Sequence, residues 1–136
     1  MELAETFEPG MIGEDTFVVE QQHLAVHVGS GSAGVLATPW LIAYLERVAH
    51  RLLVERLPAG YSSVGVWLEV RHLAPTPPGN RVRARAELVE IEGPRVTFAV
   101  QAWDETELIG EGRHQRVVID EARFLRRVSA KSQPPA

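Results

Sequence analysis

The sequence contains no cysteine. That single absence removes disulfide staples, thiolate zinc sites, iron–sulfur clusters and a cysteine nucleophile together, so stability has to come from packing. Long apolar runs are missing too: nothing approaches the ~18–20 consecutive apolar residues that a membrane helix needs, and no membrane partner is expected. Nor is there a dense basic run. The 14 Lys+Arg are outnumbered by 18 Asp+Glu, for a formal net charge of −4, whereas a nucleic-acid binder concentrates phosphate-neutralising cations on one surface. No nucleic-acid partner is expected either. The first twenty residues hold six acids and no base, the reverse of a secretory leader, which points to a cytoplasmic protein. Walker-type, GxSxG and HExxH motifs are likewise absent, removing the commonest nucleotide, serine-hydrolase and zinc-protease readings.

What is present is 136 residues, 45% hydrophobic and 24% charged. This suffices for one sizeable core but not for separate cofactor and substrate domains. A single domain over residues 1–136 is therefore expected. Residues 1–15, acidic and turn-rich, and residues 129–136, ending in Ser132-Gln133-Pro134-Pro135-Ala136, are expected to be loosely ordered.

One long helix stands out. Thr38 is a favoured N-cap type and Pro39 suits the first helical turn. Leu41, Leu45, Val48 and Leu52, with Ile42, Ala49 and Leu53, recur at the three- and four-residue spacing of a broad buried face. The pattern predicts a helix over 39–57, ended by Pro58 and Gly60. Before it, Thr16 to Glu20 and His23 to Val28 are β-prone, and Gly29 to Gly34 form a flexible connection of small residues.

After the helix the period becomes two. Val64, Val66, Leu68 and Val70 alternate with Ser63, Gly65, Trp67, Glu69 and Arg71, the signature of a strand with one buried face. Thr76-Pro77-Pro78-Gly79-Asn80 must turn. Val82, Ala84, Ala86 and Leu88 alternate with Arg81, Arg83, Arg85 and Glu87, and a parity slip at Leu88-Val89 predicts a bulge. Val96 to Ala102 and Leu108 to Ile119 follow tight turns, so the sheet is expected to be largely antiparallel. A long apolar helix and a strand meander are solved most economically by an α+β hotdog fold, a long central helix wrapped by a curved antiparallel sheet. Its exposed edges and partly open face are what a second subunit in a homodimer covers.

The residues that break these patterns carry the chemical information. Glu46 falls on the shoulder of the buried helical stripe, where a carboxylate reaches water, pairs with an arginine or is put to use. His72 continues the inward parity of its strand if no bulge intervenes, and is then either a satisfied core histidine or a catalyst. Together they make a plausible acid–base pair aimed into one apolar layer. Thr38 is a cap or a hydroxyl at a helix N-terminus, where N–H donors favour developing negative charge. His23 and His27 lie on one face of their segment but lack a carboxylate third ligand, a weak metal reading. Arg81, Arg83 and Arg85 read as a solvated basic row in preference to a phosphate site. Gly110 and Gly112 share a strand face with His114 and Arg116 and permit close approach of helix or ligand. Trp40, Trp67 and Phe98 either line a ligand pocket or pack the core.

Taken in order, Val35-Leu36-Ala37-Thr38-Pro39, the helix with Glu46, the segment Gly65 to His72, the loop Ala74 to Gly79, and Ile109-Gly110-Glu111-Gly112-Arg113-His114-Gln115-Arg116 resemble the fluoroacetyl-CoA thioesterase-like family of hotdog proteins. The resemblance covers roughly residues 35–120. It implies a homodimeric acyl-CoA thioesterase that requires no metal and no redox cofactor, with Thr38, Glu46 and His72 as the catalytic set and Gly65 and Arg116 at the acyl-CoA substrate. Fluoroacetyl-selective members carry bulky aromatics ahead of the helix as a lid, where this chain has Gly29 to Gly34. Two further readings stay open: an enoyl-thioester hydratase, since a fold does not fix a reaction, and a non-catalytic acyl-CoA binding or sensing protein.

Overall fold

The computed structural model describes residues 1–133. In chain order it contains a 3-10 turn at Leu3–Glu5, β1 at Ile12–Val18, a second turn at Gln21–His23, α1 at Ala25–Val28, α2 at Thr38–Val54, β2 at Tyr61–His72, β3 at Arg81–Glu92, β4 at Arg95–Trp103, β5 at Leu108–Asp120, α3 at Glu121–Ser129 and a last turn at Ala130–Ser132. All five strands join one sheet in the order β1-β3-β4-β5-β2, and every pairing is antiparallel.

α2 lies across this sheet and packs against all five strands. It buries Leu41, Leu45, Val48, Ala49, Leu52 and Leu53, against Val82, Ala84, Ala86 and Leu88 of β3 and Val96, Phe98, Val100 and Ala102 of β4. Each fully buried Leu, Val or Phe contributes about 1.5–3 kcal/mol of transfer free energy. Gly110 on β5 lets the helix approach: a Cβ there would lie 2.9 Å from Leu41 Cδ2. The absent Gly112 side chain accommodates the β2 backbone at Glu69 instead of the helix.

The slip read at Leu88-Val89 is a real bulge, since the β3–β4 register shifts between Leu88 and Glu90. A second bulge was not legible. The β2–β5 register shifts between Gly65 and Trp67, which reverses parity in the first half of β2. Ser63 and Gly65 therefore face the helix in place of Val64 and Val66, while Leu68, Val70 and His72 keep the expected inward side, opposite His114, Gly112 and Gly110.

Three local expectations need correction. Residues 1–15 are ordered, because Leu3 and Phe7 are buried in the core and β1 pairs with β3 from Ile12 to Val18. The acidic composition hid a few apolar anchors that close one end of the core. His23 to Val28 is a turn and a short helix, not a strand: the Glu20 N–H donates to His23 Nδ1 at 2.9 Å, a side-chain cap that competes with strand formation. The main helix ends at Val54 instead of residue 57. At the other end of the chain, Ser129 closes α3, whose first turn is capped by Asp120 accepting from the Arg123 N–H at 3.1 Å. Of the tail expected to be loose, residues 134–136 lie outside the described residues.

Candidate active site

The chain entering α2 is pinned by backbone hydrogen bonds, Leu36 N–H to Thr76 O and Ala37 N–H to His23 O, both 2.8 Å. Ala37, not Thr38, is the N-cap, and no side chain caps the helix. That frees the Thr38 hydroxyl, which lies 2.7 Å from Nδ1 of His72 at the end of β2. Among the described residues, His72 Nε2 is buried without a hydrogen-bond partner. Whichever ring nitrogen carries the proton, one polar atom of the ring is left unsatisfied, a cost of about 1–3 kcal/mol that a bound molecule or a neighbouring chain would relieve. Beside this pair opens a cavity of about 390 Å³, whose walls include Ala25, Val35, Ala37 and Leu73.

Glu46 sits two helical turns further on, about 12 Å along the axis from Thr38. Its carboxylate keeps 42% of its side chain exposed and lies 3.6 Å from Arg116 Nη1. Arg116 is buried at 7% exposure, which is tolerable because each of its three nitrogens makes a hydrogen bond. Its Nε donates to Ser63 Oγ at 2.8 Å, Nη2 to the Ser63 carbonyl at 3.1 Å, and Nη1 to His114 Nε2 at 3.1 Å. His50 on α2 joins from below, Nδ1 at 2.8 Å from Ser63 Oγ. Burial lowers Arg116 from its usual range and Glu46 opposes this; the guanidinium remains a cation.

Gly65 leaves the space in which this cluster meets. A Cβ at position 65 would stand 2.7 Å from Glu46 Oε2, 3.2 Å from His114 Cε1 and 3.4 Å from Arg116 Nη1. The Glu46 carboxylate is the flexible member and must move. Gly65→Ala is expected to displace it and to lower turnover about tenfold or more while melting shifts little, since misplacement by about 1 Å is costly to a reaction and cheap to a fold; kcat and Tm measured side by side check this.

Thus the structure brings Thr38 and His72 together, and separately Glu46, Gly65 and Arg116. Within one chain it does not bring Glu46 to His72, the pair expected from the sequence. The expectation that Arg116 meets substrate is met by a side chain sealed beneath Gly65 and turned to Glu46. Ser63, His50 and His114 were not singled out as site residues; His114 alone carried a signal, its shared parity with Arg116 on β5.

The weaker candidates resolve plainly. His23 is enclosed by Trp40 and Tyr44 rings and His27 lies on α1. Arg83 pairs with Glu14 at 2.9 Å and stacks on Trp103, and Arg85 lies between Glu14 and Glu87, so that row is ion-paired and solvated. Phe98 belongs to the core and Trp67 faces outward.

Burial is the first cause that lowers His23, His50, His72 and His114 below the ordinary imidazole value of 6.5. The unfolded chain then binds protons at a pH where the folded chain does not. Stability is therefore fully present above about pH 6.5 and is lost as pH falls through that value toward the depressed folded ones. Thermal melts between pH 8 and pH 5 should show Tm falling mainly below pH 6.5; a flat profile would contradict the buried neutral state of these rings.

Comparison with known proteins gives one consistent answer. A family model described as fluoroacetyl-CoA-specific thioesterase matches residues 19–122, a span that includes Thr38, Glu46, Gly65, His72 and Arg116. A fluoroacetyl-CoA thioesterase of Streptantibioticus cattleyicolor is 37% identical over 98 residues, 72% of this chain and 70% of that protein. Among solved structures, a variant fluoroacetyl-CoA-specific thioesterase in complex with fluoroacetate and CoA superposes with a TM-score of 0.83 at 31% identity, covering 87% of this chain and 99% of the other. A hot-dog-like protein from Thermanaerovibrio acidaminovorans reaches a TM-score of 0.91 at 25% identity over 99% and 100% of the two chains. The helix-in-sheet architecture is the hotdog fold expected from the sequence.

Proposed function

The chain belongs to the fluoroacetyl-CoA-specific thioesterase family, and on that premise we propose that it hydrolyses a small acyl-CoA thioester to the free acid and CoA using Glu46, His72 and Thr38. The observation that carries this reading is the half-buried His72 ring, hydrogen-bonded to Thr38 at a helix N-terminus with its second nitrogen buried and unpartnered, beside a cavity.

The chemistry follows from the groups. The thioester carbonyl carbon is attacked either by a Glu46 carboxylate oxygen, giving a mixed anhydride that water then opens, or by a water that gives its proton to Glu46. The carbonyl oxygen gains charge near the first N–H groups of α2 and the Thr38 hydroxyl. His72, kept neutral by burial against an opposing contribution from the Ala74 backbone, can accept and return a proton. The C–S bond breaks, CoA leaves as a thiolate that is then protonated, and the acyl group takes the oxygen. Thiolate is a good leaving group, so no strong acid is required.

The separation of Glu46 from His72 within a chain supports a site completed by a second copy. β2 is an edge strand of the sheet and carries exposed Val66 and Trp67, followed by Leu73. Pairing of two β2 edges about a twofold axis would cover them and set the two α2 helices alongside each other. No helix is long and apolar enough to cross a membrane among the described residues, and a cytoplasmic homodimer is part of the proposal.

Gly29 to Gly34, the connection ahead of α2, holds no aromatic ring to cover a two-carbon acyl group. The test is therefore a thiol-release screen over short, branched, halogenated and aryl acyl-CoA substrates, with 2-enoyl-CoA followed by absorbance. Free thiol from a small acyl-CoA is expected. Enoyl absorbance lost without thiol, or tight binding across the panel with no turnover, would overturn hydrolysis.

A further inference from the structure

The inner face of β5 contains a second imidazole that the proposed reaction does not use. His114 is 1% exposed, stands opposite Leu68 of β2, and touches two groups whose hydrogen-bonding roles are fixed. Its Nδ1 lies 2.9 Å from the Trp67 carbonyl, which can only accept; its Nε2 lies 3.1 Å from Arg116 Nη1, which can only donate. Both bonds can form in one state alone, the neutral ring protonated at Nδ1. The Trp67 carbonyl belongs to the bulge that turns Gly65 toward the helix.

Arg116 Nη1 has two hydrogens. One is directed to His114, and the same nitrogen lies 3.6 Å from Glu46 Oε2. Ser63 fixes the other side of the guanidinium through Nε and Nη2, so His114 is the third tether and the one adjoining the carboxylate. We propose that His114 is a positioning residue: anchored to the β2 bulge and accepting from Arg116, it aims Nη1 at Glu46 and so fixes the reacting carboxylate beneath Gly65. The inference rests on the assignment of Glu46 as the reacting group.

The charged and titratable groups facing His114 are Arg116 from its own strand and Glu46 from α2, with His50 of α2 reaching the same guanidinium through Ser63; from β2 the ring's hydrogen-bond partner is the Trp67 carbonyl. An imidazolium would set its Nε2–H against a guanidinium N–H in a buried site, and burial together with Arg116 keeps the ring from charging.

Three measurements decide the matter. First, nitrogen-15 NMR of the imidazoles in the intact protein at pH 7 should show His114 neutral, protonated at Nδ1 and bare at Nε2; the opposite tautomer or an imidazolium overturns the proposal without reference to activity. Second, in thiol-release kinetics His114→Met should lower kcat about tenfold to a hundredfold with KM nearly unchanged, while His114→Gln, which keeps an acceptor, should recover most of the loss at similar Tm. Third, because His114 acts through Glu46, His114→Met should cost almost nothing further in a Glu46→Ala background. Wild-type kcat in His114→Met beside an inactive Glu46→Ala would refute the positioning role alone. Full activity in Glu46→Ala would refute the catalytic assignment, and the tautomer would still report on His114. Should His114→Met fail to fold, the tautomer and the His114→Gln kinetics decide.

Discussion

Glu46→Ala reduces the turnover of a small acyl-CoA by at least about 100-fold while the protein still folds and associates, which thiol release and size-exclusion chromatography measure together. The size of the effect follows from what is removed: in either version of the chemistry, the carboxylate makes or activates the bond to the carbonyl carbon, and of the three described atoms nearest the absent Cβ of Gly65, from Glu46, His114 and Arg116, the Glu46 oxygen alone belongs to an acid. The structural cost is modest. Glu46 is 42% exposed, and Arg116 retains Ser63 and His114 as partners, so the buried cation is not stranded by the loss of its more distant counter-ion. Turnover within a few-fold of wild type would remove Glu46 from the mechanism.

Mixing two inactive chains should restore activity. If the twofold arrangement brings Glu46 of one protomer to the Thr38–His72 pair of its partner, Glu46→Ala and His72→Ala homodimers each lack one component in both sites. Random exchange makes half of the dimers mixed, and each mixed dimer regains one of two sites, about a quarter of wild-type activity. The measurement is thiol release after unfolding the two variants together and refolding. No recovery would mean that a single protomer supplies both groups, despite the two helical turns separating Thr38 from Glu46.

Much of this could be read from residue order. The α2 stripe, the β3 and β4 alternations and the bulge at Val89 are local periodicities that burial enforces, and they appear where the sequence placed them. Two signals misled. Acidic composition in residues 1–15 concealed Leu3 and Phe7, because order there depends on a few anchors and not on an average. His23 to Val28 had strand-forming residue types, yet Glu20 and His23 satisfy one another locally and nucleate turns in their place.

The sequence by itself determined the chemistry that the chain has available: without cysteine, and with Glu46 and His72 breaking apolar patterns, acid–base work was already indicated, and the family resemblance supplied the acyl group as its object. Only the tertiary structure decided how those groups are distributed. The bulge between Gly65 and Trp67 leaves no mark on residue types, yet it turns Ser63 and Gly65 inward, which creates the Arg116 socket and the space for Glu46. The approach of β2 to the start of α2 commits Thr38 to His72, two turns from that carboxylate. Periodicity reports which face a residue occupies; pairing register and helix placement, set by packing across the whole sheet, determine which residues meet.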